Sequence, residues 1–236
     1  MRIQRKQVLA WGVHAFTASG IVMAFMAIQA IFAQHWQAAF AWMALTVIVD
    51  SVDGTLARRL GVKGVLPHFD GALLDNIIDY QTYVLLPALM VYEAQLVPAG
   101  WSIVIASLIL LASAYQFSQA DAKTEDHFFK GFPSYWNVAV FYLFMLNLNG
   151  WINLLALLLC TVLVFVPIKY IYPSRTARFK RLTLILSGFW GLAVLFTVVE
   201  YPDFRPWLVY GSLAFVLYYV LLSAYLTKRP SLARSR

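Results

Sequence analysis

Two stretches decide how this chain is built: "DSVDGTLAR" (residues 50–58), which closes one apolar run, and "GALLDNIID" (residues 71–79), which opens the next. Together they place four aspartates, Asp50, Asp53, Asp75 and Asp79, at the mouths of hydrophobic segments. A charged aspartate at mid-span costs about 2.5–3.5 kcal/mol on insertion scales, and neighbouring carboxylates also repel one another. Asp50 and Asp53 alone could pass for solvated helix ends. Asp79 does not, because Ile77, Ile78 and Tyr80 flank it.

The rest of the chain sets the medium in which those aspartates sit. Of 236 residues, 61% are hydrophobic and 12% charged, whereas soluble domains are about half apolar and a quarter charged. The composition therefore indicates an all-α, polytopic bundle of membrane-spanning helices forming one membrane-embedded domain over residues 1–236. Eight apolar segments qualify as spans: 8–32, 36–51, 72–94, 99–118, 134–149, 151–171, 183–200 and 206–226. The first is too long for the apolar core of a signal peptide, and "AIQAIFAQ" is a weak cleavage site, so a retained helix is expected. Short turns such as "LNGW" (148–151) and "YPDFRP" (201–206) join pairs of spans into antiparallel hairpins. The single cysteine, Cys160, excludes a disulfide within the chain and reads as a buried, inert thiol.

Basic residues in short loops orient such a bundle. With both termini in the cytoplasm, all of the 18 lysines and arginines except Arg205 lie on or near that face. They cluster in the two tails, in segment 52–71, in loop 119–131 and around 169–182. The net charge of +7 is thereby explained by topology and attraction to anionic lipid, and nucleic acid is not expected as a partner.

Asp50 and Asp53 share a face if their helix continues past residue 51, and Asp75 and Asp79 share one by their i,i+4 spacing. Asp79 lies about 12 Å along the helix from Gly71, already inside the bilayer. The two pairs enter from helices flanking one cytoplasmic segment, so they can converge in a pocket just below the membrane surface. Converging carboxylates need cations. Hard oxygen donors with no His/Cys cluster favour Mg²⁺ or Mn²⁺, and two divalent ions would neutralise four carboxylates. Two-metal sites commonly act on phosphoryl groups. The neighbours suit a phosphate-bearing ligand: Gly54 and Gly71 open space, Ala57 is small, and Arg58 offers a bidentate fork.

The pattern D-x2-D-G-x2-A-R … G-x3-D-x3-D resembles the signature of the CDP-alcohol phosphatidyltransferases. Asp50, Asp53, Gly54, Ala57, Arg58, Gly71, Asp75 and Asp79 fill every signature position. Twelve residues separate Arg58 from Gly71, more than in most of that family. This longer spacer, "HAFTASG" (14–20), "FPSYWN" (132–137), "VPIKYIYPSRT" (166–176) and the eight spans resemble the bacterial phosphatidylcholine synthase branch. The resemblance implies transfer of a phosphatidyl group from CDP-diacylglycerol to choline in the inner membrane, with the site facing the cytoplasm. It implies that the four aspartates hold two divalent ions, Mn²⁺ or Mg²⁺. The cytidine diphosphate would lie along Asp53, Gly54, Ala57, Arg58 and Gly71, and Asp79 would be the general base.

A quaternary ammonium offers no N–H donor, so aromatic faces and carboxylates must hold it. Candidates on the inner half are Tyr83, Tyr115, Tyr135 and Trp136, with Tyr80 beside them, although tyrosine and tryptophan also gather at membrane interfaces without binding anything. Thr17, Lys169 and Arg175 could contact the CDP-diacylglycerol, Lys169 or Arg175 at its lipid-side phosphate. His14, Thr17 and Ser19 equally form a polar stripe suited to helix packing, and "YPSRTARFKR" (172–181) equally a solvated basic loop. Glu125 and Asp126 read as ordinary solvated charges. Few cationic groups near the aspartates argue against acceptors that carry phosphate. Two rivals are the same chemistry on another alcohol such as serine, and a proton- or ion-coupled transporter. The transporter leaves Gly54, Ala57 and Arg58 without a role and lacks an internal repeat. A homodimer is left open.

Overall fold

The structure, a computed structural model, describes residues 5–228 apart from Glu125 and Ser174. Of the charges read above, Arg2, Glu125, Arg229, Arg234 and Arg236 lie outside the described residues.

Helices occupy all eight expected segments. They are α1 (Arg5–Phe32), α2 (Trp36–Arg59), α3 (Val62–Val65), α4 (Gly71–Asp79), α5 (Leu86–Glu93), α6 (Ser102–Ser118), α7 (Trp136–Met145), α8 (Gly150–Phe165), α9 (Lys180–Val199) and α10 (Pro206–Thr227). Four of them, α1, α2, α9 and α10, are long and apolar enough to cross a membrane, while α6, α7 and α8 are shorter apolar helices. Large side chains such as Leu111, Phe189 and Val199 are exposed on helices that are apolar on their outer sides too, as lipid-facing helices are. The chain is an integral membrane protein.

Small residues bring the helices together. Ala10, Gly20, Ala24, Ala27 and Ala30 line the buried side of α1, which runs along α2. At Gly20 a Cβ would stand 2.8 Å from the Ile78 side chain, so α4 presses closely on α1. Polar contacts fix the other helices. Tyr142 on α7 donates to Ser212 on α10 at 2.8 Å and accepts from Trp190 on α9 at 2.9 Å. Asn153 on α8 reaches the Leu96 carbonyl at 2.7 Å.

Three features depart from the expectations. First, α2 continues to Arg59, so the whole "DSVDGTLAR" stretch is helical and the shared face of Asp50 and Asp53 exists. Second, the third span is not uniform. Between α4 and α5 the chain widens into a π-helical turn, Tyr80–Leu85, in which the Leu86 N–H reaches the Gln81 carbonyl. Pro87 follows and has no N–H to give the Tyr83 carbonyl, which favours such a break. Third, the fold is not purely helical, and the span expected over 151–171 stops at Phe165. Pro167 pushes Val166 to an extended conformation, and Lys169–Ile171 becomes a strand, β2. It pairs antiparallel with β1 (Phe128–Lys130) from the loop after α6, in the register Phe128↔Ile171, Phe129↔Tyr170, Lys130↔Lys169. Lys169 therefore lies on a ribbon rather than inside a span.

Candidate active site

The geometry begins at Asp70. Its side chain accepts from the N–H groups of Ala72 and Leu73, each at 3.0 Å, and so caps α4 and sets where the helix starts. With that start, the i,i+4 spacing carries Asp75 and Asp79 to the side where Asp50 arrives on α2. One carboxylate oxygen from each of Asp50, Asp75 and Asp79 lies within 4.8 Å of the other two. This donor set of hard, crowded oxygens suits a divalent ion such as Mg²⁺ or Mn²⁺. The π-helical turn places Tyr83 beside them, and its hydroxyl donates to Asp50 Oδ2 at 2.7 Å. A tyrosine bond of this kind orients a metal-binding carboxylate.

Asp53 stands apart from this trio. It is buried, 4% exposed, and interacts with the Thr17 side chain on α1 and the Gly54 N–H. Arg58 donates to Thr55 at 3.0 Å and passes close over Gly54, where a Cβ would stand 3.2 Å from the guanidinium. Ala57 packs where α1, α2 and α3 meet. Gly71 has a packing reason of its own: a Cβ there would stand 2.6 Å from the imidazole of His14. His14 in turn lies against Phe69, ring centroids 4.4 Å apart. Thus Thr17, Asp53, Gly54, Ala57, Arg58 and Gly71 gather around α1 and the end of α2.

On the other side of Asp50, Asp75 and Asp79 opens a cavity of about 300 Å³. Aromatic rings line it: Tyr83 beside Asp50, then Tyr135, Phe129 and Tyr172. Phe129 and Tyr172 stack at 4.8 Å, and Tyr135 lies 6.0 Å from both Tyr83 and Phe129. Lys123 also lines the cavity, a cation that the sequence reading counted only towards topology.

Four other residues of the sequence reading do not line this cavity. Trp136 is fully buried and donates to Ser113 at 2.7 Å, a packing role beside the cavity rather than in it. Tyr115 points outward, half exposed, against Phe165. Lys169 is paired with Asp126 at 2.6 Å, and Arg175 sits over the Tyr172 ring at 5.8 Å. Asp126 is accordingly no ordinary solvated charge. Burial alone would raise its carboxyl, but hydrogen bonds from Lys169 and Thr124 outweigh that and hold it below the usual carboxylate range. Sequence reasoning missed Phe129, Tyr172 and Lys123. Only strand pairing brings the first two together, and no local spacing announces it. Asp70 was legible as an aspartate just before a helix.

Comparison with known proteins identifies the family. The model of the CDP-alcohol phosphatidyltransferase family matches residues 14–166, a span holding all four aspartates. A phosphatidylcholine synthase of Legionella pneumophila is 43% identical over 228 residues, covering 94% of this chain and 89% of the relative. One of Pseudomonas aeruginosa is 38% identical over 197 residues, covering 84% and 83%. One of Rhizobium meliloti is 35% identical over 234 residues, covering 99% and 97%. With the signature, the convergent carboxylates and relatives matched over most of their length, the chain belongs to the CDP-alcohol phosphatidyltransferase family.

Proposed function

We propose that this protein is a phosphatidylcholine synthase, transferring the phosphatidyl group of CDP-diacylglycerol to choline and releasing CMP. The observation that carries the reading is one cavity lined by both carboxylates and aromatic rings. Phosphoryl chemistry calls for the first and a quaternary ammonium for the second. The phosphatidylcholine synthases to which the chain is similar point the same way. Family membership sets the transport reading aside.

Asp50, Asp75 and Asp79, with Asp53 close behind, would hold the divalent ions, two Mn²⁺ or Mg²⁺. Bound there, such ions lower the charge on the diphosphate and on the leaving group. The residues around α1 and the end of α2 receive the nucleotide: Thr17, Asp53, Gly54, Ala57, Arg58 and Gly71. Choline enters the aromatic side, against Tyr83, Tyr135, Phe129 and Tyr172. Its hydroxyl oxygen attacks the β-phosphorus. The bond from that phosphorus to the oxygen shared with the α-phosphate breaks, and that oxygen leaves with the electron pair as part of CMP. The hydroxyl proton passes to Asp79, because a free alcohol is a poor nucleophile and a positioned base helps. Tyr83 keeps Asp50 in place throughout.

The whole chain acts as one domain in the bacterial inner membrane, with this site on the cytoplasmic side. That placement follows from the basic loops. A cysteine introduced at Lys63 should react with an impermeant thiol reagent from the cytoplasmic side only, and one at Asp203 from the opposite side. The reverse pattern overturns the orientation. The function itself is tested with purified protein, CDP-diacylglycerol, Mn²⁺ and a panel of alcohols, reading CMP. Choline should be used best. Preference for serine would move the protein to another acceptor within the same family.

A further inference from the structure

The ribbon that closes the cavity is too small to hold itself. Each strand has three residues, and isolated two-stranded ribbons are marginal. Side chains from α10 grip its outer edge. The Lys169 N–H donates to Thr227 at 2.9 Å, the Ile171 N–H to Ser223 at 3.1 Å, and the Tyr219 hydroxyl to the Ile171 carbonyl at 3.0 Å. Thr176 bridges the two sides, accepting from the Tyr172 N–H and donating to the His127 carbonyl, both at 2.8 Å.

One ion pair ties the two halves directly. Lys169 meets Asp126 at 2.6 Å with their side chains 29% and 17% exposed, and Asp126 also accepts from Thr124 at 2.6 Å. A pair this sheltered is screened less than a surface pair. Its placement is what gives it meaning. Asp126 lies three residues before Phe129, and Lys169 three before Tyr172. Phe129 faces Tyr170 across the ribbon, so Tyr172, two residues on, falls on the same face diagonally and stacks on the Phe129 ring. Lys169 lies at the Lys130 end of the ribbon and Asp126 just beyond its Phe128 end, so the ion pair runs along the ribbon over Phe128, on the face opposite the Phe129–Tyr172 stack. Asp126 and Lys169 do not line the cavity, whereas Phe129 and Tyr172 do.

We propose that Asp126 and Lys169 are positioning residues for the acceptor: their ion pair latches the segment after α8 to the loop after α6, and so sets the Phe129–Tyr172 wall against which an ammonium head group packs. The proposal rests on the phosphatidyl-transfer reading and deepens it. Half of the wall and half of the latch come from beyond residue 166, where the match to the family model ends. The nucleotide side, around Thr17, Asp53, Gly54 and Arg58, shares none of these contacts. Loosening the latch therefore weakens the acceptor and spares the donor.

The test uses the full-length protein with Asp126→Asn, Lys169→Met and the charge-reversed double variant Asp126→Lys/Lys169→Asp. Each single variant should raise the KM for choline about 5- to 30-fold, the scale of a charge-assisted hydrogen bond passed on in part. The kcat and the KM for CDP-diacylglycerol should stay within about twofold, and the double variant should recover most of the choline KM. Choline binding by calorimetry, without donor lipid, should weaken in step and carries the test where turnover is lost. Unchanged choline KM and binding in both single variants overturn the latch. So does an equal loss for donor and acceptor, or a double variant no better than the singles. If the wild type instead uses a different alcohol, the choline assignment fails. The latch is then judged on the KM of the alcohol actually used.

Discussion

The two walls of the cavity are built in opposite ways. The carboxylate wall comes from two helices close in sequence. Asp75 and Asp79 share a face because of helical periodicity, and Asp50 joins them from α2, the helix that precedes them in the chain apart from the short α3. The aromatic wall comes from four places: the π-helical turn for Tyr83, strand β1 for Phe129, the residue capping α7 for Tyr135 and the residue following β2 for Tyr172. Charge that is costly in a membrane is placed by the most rigid local rule available. Rings, which pack acceptably almost anywhere in a bilayer protein, can be gathered from distant segments. In the proposed reaction, the chemistry sits on the local wall and the choice of acceptor on the assembled one.

The comparison breaks first at the carboxylates, where effects are largest. Asp50→Ala, or excess chelator on the wild type, should abolish CMP release with the protein still in the membrane; full turnover in chelator would remove the metal site. Asp79→Asn keeps shape and one oxygen ligand but loses the basic oxygen. It should lower kcat and kcat/KM together, by about 10²–10⁴-fold, while CDP-diacylglycerol binding survives better. Turnover within about tenfold of wild type would sink Asp79 as the base.

Tyr83 stands where the walls meet, so it sharpens the comparison. Tyr83→Phe keeps the ring and deletes the bond to Asp50. A hydrogen bond to a charged group is worth about 1.5–3 kcal/mol, so kcat should fall roughly 10- to 100-fold with the choline KM little changed. If the choline KM rises instead with kcat unchanged, the Tyr83 hydroxyl serves the acceptor rather than Asp50.

Gly71→Ala probes the packing that aims α4. Its Cβ would press on His14, and overpacking costs about 1–3 kcal/mol, readable as a lower Tm in detergent. His14→Ala in the same chain should restore part of that loss. If the single change leaves Tm unaltered while nucleotide binding falls, the glycine serves the ligand rather than the imidazole. The smallest effect is expected at Tyr115, which faces outward. Tyr115→Leu should keep the choline KM within about twofold, as surface changes do. A larger rise would put Tyr115 in the acceptor site.

Much of this was legible in the amino-acid order, for definite reasons. Apolar segments of bilayer length announce helices, and helices stand in all eight places. Aspartates at i,i+3 and i,i+4 announce shared faces, and three of them do converge. The end of the 151–171 segment was misplaced although Pro167 was there to be read, because an apolar run outweighed one proline. Trp136 and Tyr115 were grouped with Tyr135 because all three fall on the inner half of their segments, which says nothing of the direction in which each ring points. A helix turns about 100° per residue, so adjacent rings face different surroundings. Asp126 and Lys169 looked like two unrelated charges 43 residues apart.

The sequence by itself determined the membrane setting, the helical segments and the four costly aspartates, because hydrophobic length and helical period are local quantities. Only the tertiary structure decided that Asp53 turns to α1 while the other three meet, that Gly71 makes room for His14, and that Phe129 and Tyr172 form one wall. Those outcomes depend on which distant surfaces pack together. That is settled by shape, buried hydrogen bonds and one sheltered ion pair, none of which is written in the spacing of residues along the chain.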